Sequence, residues 1–210
     1  MKIWGSKAQG NPVRVAIFLA EKGLEIPFEP VDLMQGAHRE PGFRAKNPVG
    51  LVPVLELDDG TCISETIAIC RYFERLHPEP PLMGEGPLDE AIVEMWQRRV
   101  EFQLYGAARE VFRHSVPFAK ALEPVQIAAW AELNRPRVSA ALEMLEAQLK
   151  TEPFIAGARF TVADITAVFA VQMLRHIQVS IPQDSTALHR WREAVWSRPS
   201  VVSVLGAPKP

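Results

Sequence analysis

Pro53 constrains this chain more than any other residue. It sits in the run Val49-Gly50-Leu51-Val52-Pro53-Val54-Leu55, whose apolar, β-branched character reads as strand on both sides. Proline has no N–H to give a ladder and is largely excluded from central strands. A cis peptide bond, which X-Pro pairs accommodate far more easily than others, lets a proline stay there. A cis Val52-Pro53 bond ends the strand pairing and turns the N–H and C=O of Val52 outward, where they can pair with another peptide's backbone. Shortly afterwards Ser64-Glu65-Thr66 opens a predicted helix, and a helix start favours an anion. Together these features suit a small peptide with a carboxylate at one end. The plainer alternative is an edge-strand proline beside an ordinary capped helix.

Around that proline the chain divides into two patterns. From Met1 to His77 strands and helices alternate. A strand at Lys2–Gly5 precedes a helix with the apolar stripe Val13, Ile17, Ala20 and Leu24, then a strand at Pro27–Val31 and an irregular stretch from Met34 to Val49. Strand runs at Val54–Leu57 and Cys62–Ile63 flank Asp58-Asp59-Gly60, a hairpin signal, and a helix from about Ser64 to Leu76 stops before Pro78. The order βαβ, hairpin, helix implies a right-handed crossover and a small mixed sheet. The stretch from Pro78 to Pro87 cannot continue a helix and reads as a linker. Beyond Leu88 the pattern is helical. Helices are expected over Leu88–Val111 and Val125–Lys150, from Thr161 through Met173, and over Thr186–Ser197. Pro136 should kink or break the second of these. The expected division is residues 1–78, a linker at 79–87, and 88–210.

Composition excludes several classes. With 210 residues, nearly half of them hydrophobic, the chain can bury one large core or two small ones. A net charge of −2 sets up no field toward nucleic acid or an anionic membrane, so neither is an expected partner. Cys62 and Cys70 have neither Cys-x-x-Cys nor metal-ligand spacing, which suits a reducing compartment and predicts no metal. Met1-Lys2-Ile3-Trp4-Gly5 has no secretory pattern, and no apolar stretch approaches bilayer-spanning length. A soluble, cytoplasmic protein is expected.

Three segments and a layout then occur in order: Asn47-Pro48-Val49-Gly50-Leu51-Val52-Pro53-Val54-Leu55, Ile63-Ser64-Glu65-Thr66-Ile67-Ala68-Ile69, the α/β–linker–helical arrangement, and Phe154-Ile155-Ala156-Gly157-Ala158-Arg159-Phe160-Thr161-Val162-Ala163-Asp164-Ile165. On these the chain resembles the cytosolic glutathione transferases over essentially its full length. They match that family's cis-proline segment, γ-glutamyl-binding turn, domain order and buried N-capping segment. The resemblance implies an α/β thioredoxin-like N-terminal domain plus an all-α C-terminal domain, with glutathione as co-substrate and a homodimer. It also implies that Val52, beside Pro53, pairs with the cysteinyl part of glutathione. The γ-glutamyl carboxylate would lie at the helix start by Thr66, with Glu65 taking the ammonium. Lys46 and His38 lie where the family often places a cation near the glycyl carboxylate; the alternative for each is a solvated surface residue. Asn47 and Pro48 read as loop-shaping. Thr161-x-x-Asp164 is a capping box and a folding element, not a catalytic carboxylate.

The family stabilises the glutathione thiolate with a donor after the first strand, commonly Tyr, Ser or Cys. Here that segment is Gly5-Ser6-Lys7-Ala8-Gln9-Gly10-Asn11-Pro12-Val13-Arg14, and Gly10 falls where a serine often sits. Asn11 is the leading candidate, because its amide can donate to a thiolate; equally, Asn before Pro is an N-cap. Ser6 lies early in the loop, and Gln9 has nothing further to support it. The chain also resembles a fungal and bacterial subgroup lacking the standard residue, in which a His and a Ser of the helical domain hold an activating water. His114 and Ser115 are the corresponding positions, with a helix-end cap as the other reading of His114.

The hydrophobic substrate is expected between the domains, lined by Tyr105, Phe112 and Phe118, although aromatics at helical spacing also suit a core. The leading function is glutathione transfer to a small hydrophobic electrophile. Glutathione-dependent disulfide or peroxide reduction is the enzymatic alternative. A non-catalytic glutathione-binding relative is the other.

Overall fold

The computed structural model describes residues 1–206; the last four residues of the expected helical domain lie outside the described residues. The chain forms two compact units, Met1–Pro81 together with the segment from Pro199, and Leu82–Arg198.

The first unit is built on a four-stranded sheet in the order β2-β1-β3-β4. β1 (Lys2–Trp4) runs parallel to β2 (Phe28–Glu29) and antiparallel to β3 (Val54–Glu56), which pairs antiparallel with β4 (Cys62–Ser64). Ile3, Leu55 and Ile63 share a register, and the first two are fully buried. At the Asp58-Asp59-Gly60 hairpin, Leu57 N–H bonds Thr61 C=O at 2.9 Å and Asp59 Oδ1 accepts from Thr61 N–H at 2.9 Å.

The first helix, α1 (Pro12–Glu21), is buried from Pro12 through Leu19, Arg14 included, and acts as a core helix. It packs against α3 (Thr66–Leu76) and α9 (Pro199–Leu205). Gly5 is required where β1 passes the helix start. Its φ is +134°, and a Cβ there would lie 2.6 Å from Pro12 Cγ. At the other end of α1, the side chain of Lys22 is fully buried. Its ammonium pairs with Glu74 of α3 at 2.7 Å and donates to the carbonyls of Pro78 and Pro80. A short α2 (Pro41–Arg44) occupies the stretch read as irregular.

The second unit is helical. The expected Leu88–Val111 helix starts earlier and runs further, as α4 (Gly86–Arg99), a π-helical turn (Val100–Tyr105) and α5 (Gly106–Ser115). Gly106 N–H reaches back to Glu101 C=O, and a Cβ on Gly106 would sit 3.3 Å from that oxygen. α6 (Ala128–Leu149) continues through Pro136, because that proline is exposed and water can take the carbonyl it leaves unbonded. α7 (Val162–Leu174) is buried along most of its length, and α8 (Thr186–Trp196) follows. The buried Glu146 of α6 caps α8 from outside, accepting from Leu188 N–H at 2.8 Å. α9 is the element the sequence reading lacks. It begins at Pro199, just beyond the expected Thr186–Ser197 helix, and proline at the first position starts a helix. No described helix is long and apolar enough to cross a membrane.

The capping box forms at α7. Thr161 Oγ1 accepts from Ala163 N–H at 3.3 Å, and Asp164 Oδ2 accepts from Thr161 N–H at 2.9 Å. Asp164 Oδ1 accepts from Ile155 N–H at 3.0 Å and Trp191 Nε1 at 2.8 Å, all of it buried. Burial pushes the carboxyl up to about 6, with the bonds from Ile155, Trp191 and Thr161 working against it.

Two outcomes follow for Asp164. Asp164→Ala leaves buried N–H groups unsatisfied at about 1–3 kcal/mol each, so urea melts should show a loss of about 3–5 kcal/mol. The folded carboxyl holds its proton to a higher pH than the unfolded one, so the native state binds more protons between roughly pH 4 and 6. This side chain therefore favours folding most at acid pH. That contribution, on the order of 2–3 kcal/mol, is lost as pH rises through about 6. Asp164→Asn should flatten that segment of the stability–pH curve; an unchanged slope would assign it to other groups.

Candidate functional site

In the first unit the expected peptide-binding residues lie on the β1–α1 loop, the chain before β3 and the start of α3. The Val52-Pro53 bond is cis. The N–H and C=O of Val52 make no hydrogen bond among the described residues, and Pro53 is buried beside it. Asn47 shapes this segment, with Nδ2 donating to Leu51 C=O at 2.8 Å and Oδ1 accepting from Val49 N–H at 3.1 Å.

At the start of α3, Glu65 has φ +71° and ψ 120°, a positive φ on a non-glycine residue. Such conformations cost about 1–3 kcal/mol and cluster at ligand clamps. No side chain caps this helix, so its first amides face outward beside the buried Thr66 while the Glu65 carboxylate stays exposed.

His38 and Lys46 are not the solvated residues of the plainer reading. His38 is buried, and its backbone carbonyl crowds Gly50, where a Cβ would come within 2.9 Å. Its Nδ1 has no hydrogen-bond partner among the described residues. Burial, with the charge of Arg39 adding to it, holds the imidazole below its usual range, so His38 is neutral near pH 7. Lys46 is half-buried. It pairs with Glu56 Oε2 at 2.8 Å, and its ammonium lies 5.1 Å from the Trp4 ring. Trp4 Nε1 donates to the same carboxylate oxygen at 2.5 Å. The hydrogen bond to Glu56 raises the Lys46 pKa, and those from Lys46 and Trp4 lower that of Glu56, so the pair is charged. The antiparallel β1–β3 register, which brings Trp4 near Glu56, was the signal that could have revealed this cluster.

In the β1–α1 loop, Asn11 takes the N-cap position without capping; its Oδ1 faces Arg14 Nη1 at 3.5 Å. Ser6 Oγ accepts from Ala8 N–H at 3.3 Å in a local turn, and Gln9 is exposed. Among the described residues no cluster of His, Cys, Asp and Glu could hold a metal ion.

The remaining candidates lie in the second unit. Tyr105 is core, not pocket lining: it is buried on the π-helical turn and packs on Phe169 with ring centroids 5.4 Å apart. Phe112 and Phe118 meet edge to face at 5.4 Å, and each lies 6.0 Å from His176, a residue sequence reasoning missed because it comes from the short 3-10 turn (Arg175–Ile177) beyond α7, distant in sequence. Phe118 is 55% exposed. His114 Nδ1 accepts from Ile127 N–H at 3.2 Å, and its Nε2 lies 3.6 Å from Glu110. Ser115 donates its hydroxyl to Val111 C=O at 2.7 Å.

Comparison with known proteins matches these two units to known families. Residues 11–76 match the family model for the glutathione S-transferase N-terminal domain, and residues 113–199 that for the C-terminal domain. Glutathione S-transferase 2 of Saccharomyces cerevisiae is 34% identical over 208 residues, covering 98% of this chain and 89% of that protein. The crystal structure of Gtt2 from the same yeast superposes with a TM-score of 0.93 over 98% of this chain and 100% of that one. A glutathione S-transferase domain-containing protein from Marinobacter aquaeolei VT8 is 40% identical, with a TM-score of 0.92 over 96% of this chain and 100% of the other. On identity across nearly its whole length and on the fold of both units, the chain belongs to the glutathione S-transferase family.

Proposed function

We propose that this chain binds glutathione, lowers the pKa of its thiol and transfers it to a small hydrophobic electrophile. The observation that carries the reading is the uncapped start of α3, with Glu65 at positive φ beside buried Thr66. A carboxylate there meets unsatisfied amides and the positive end of the helix dipole, while Glu65 faces the accompanying ammonium. The unpaired groups of Val52 offer two backbone hydrogen bonds to the cysteinyl residue. Lys46 brings a cation for the glycyl carboxylate, and His38 an unpartnered ring nitrogen beside the same loop.

Thiol activation falls to Asn11. A free thiol has a pKa of about 8.5, and a donor or helix N-terminus lowers it. Ser6 lies earlier in the loop, where its Oγ accepts from Ala8 N–H. The Ser115 hydroxyl donates within α5 to Val111 C=O, and His114 Nδ1 accepts from Ile127 N–H. The electrophile rests on Phe112 and Phe118, which present an apolar surface where Tyr105 does not. A homodimer in the cytoplasm belongs to the same reading, and sedimentation at working concentration tests the dimer.

Thr66→Ala should weaken glutathione binding by about 10- to 100-fold, from the 1.5–3 kcal/mol of a hydrogen bond to a charged group. Glu65→Gly removes the carboxylate and relieves the positive φ, so calorimetry should find weaker binding with stability unchanged or raised. Full affinity in both variants would place the γ-glutamyl site elsewhere.

Asn11 is tested through the thiolate's ultraviolet absorbance. Asn11→Ala should raise the pKa of bound glutathione and lower turnover. Asn11→Asp keeps the size but sets a carboxylate beside the sulfur, so activity should fall further. An Asp variant as active as the natural protein would remove Asn11 from the mechanism. Glutathione binding without any thiolate shift would favour the non-catalytic alternative. Efficient turnover of disulfides or peroxides in place of electrophiles would favour the reductase.

A further inference from the structure

The start of α1 leaves the side chain of Asn11 without the task its position suggests. Its backbone is helical, with φ −58° and ψ −29°, where a capping residue is usually extended. The amides it would cap are already satisfied: Val13 N–H bonds Gly10 C=O at 3.1 Å, and Arg14 N–H bonds Asn11 C=O at 3.0 Å. The side-chain oxygen turns instead toward Arg14, whose Nη1 lies 3.5 Å away and whose side chain is buried within α1, at 2% exposure. A guanidinium carries five N–H donors and no acceptor, so the Asn11 atom facing it must be the oxygen. The flipped amide would set donor against donor.

We propose that Arg14 is a positioning residue for thiol activation: it holds Asn11 Oδ1 so that Nδ2 stays presented as the donor to the glutathione sulfur. The inference rests on the reading of Asn11 as that donor. An unconstrained asparagine samples both settings of its amide, and one of them turns a lone pair toward the thiolate. Arg14 removes that setting. Its charge also polarises the carboxamide and strengthens the N–H as a donor, an effect larger in a buried site than in water. Spacing carries the signal, since residues three apart on a helix are neighbours.

The test reads the bound thiol's pKa in four proteins: natural, Asn11→Ala, Arg14→Met and the double variant, each checked for folding by circular dichroism and melting. Asn11→Ala should raise the pKa by about one unit. Arg14→Met should raise it comparably and lower kcat with little change in the KM for glutathione. The double variant should go no higher than either single one. If Arg14→Met does not fold, Arg14→Lys takes its place. It keeps the stem and the charge but loses the planar fork, and should give an intermediate pKa. In the natural protein, the Asn11 side-chain amide protons should shift in NMR spectra on glutathione binding. A folded Arg14 variant with the natural pKa, or effects that add in full, overturns the positioning role and leaves Asn11 intact. An unshifted pKa in Asn11→Ala, or amide protons blind to glutathione, overturns the reading beneath it and the inference together.

Discussion

The buried ammonium of Lys22 is the interaction on which the rest of the first unit depends. An unpaired charge at that depth costs several kcal/mol, about 3–5 when one partner of a buried pair is removed. Here its donors meet the Glu74 carboxylate and the carbonyls of Pro78 and Pro80, with the Phe18 ring 5.6 Å away. The end of α1 is thereby fixed to the end of α3 and to the chain that leaves it. Gly5 fixes the opposite end by letting β1 pass tightly over Pro12. Two helices clamped at their far ends can hold their near ends, Asn11 on one and Glu65 on the other, in a constant relation across a single sheet.

The helix starts divide the labour. α7 is closed by its own Thr161 and Asp164, and α8 by Glu146 of another helix. α1 closes itself with backbone bonds, which releases the Asn11 side chain. α3 is not closed, and its leading residue is held in a conformation that most side chains avoid. An open start is not peculiar to α3, since α4 and α6 also lack a side-chain cap. What sets α3 apart is the positive φ of Glu65, and on the proposed function the partner of its free amides is the glutathione carboxylate.

Much of this was legible because its causes are local. Pro53 inside an apolar run, Asp58-Asp59-Gly60 between strands and Thr161-x-x-Asp164 before an apolar helix each act through neighbours in sequence, and each formed as read. Other features depend on residues that only folding brings together. Nothing near Lys46 announces Glu56 and Trp4, and nothing near Phe118 announces His176. Tyr105 failed as a pocket residue because periodicity gives the buried face of a helix without saying whether core or cleft lies beyond it. The π-helical turn was hidden for another reason, since one extra residue per turn leaves the apolar spacing almost unchanged over so short a stretch. Asn11 and Arg14 had the spacing of neighbours in plain sight, and the familiar role of a cap obscured it.

The packing of α9 on α1 has a consequence for how the protein is made. The first unit is interrupted: its sheet and first helices emerge from the ribosome early, and Ser200, which hydrogen-bonds Glu21, emerges only after the whole helical unit. Until then one side of a helix that the folded unit buries stands open. The growing chain must carry that exposed surface through the synthesis of more than half its length, where chaperone binding or premature association competes with folding. In evolutionary terms, the helical unit sits as an insertion within the first, and changes in α9 are answerable to the earliest helix in the chain.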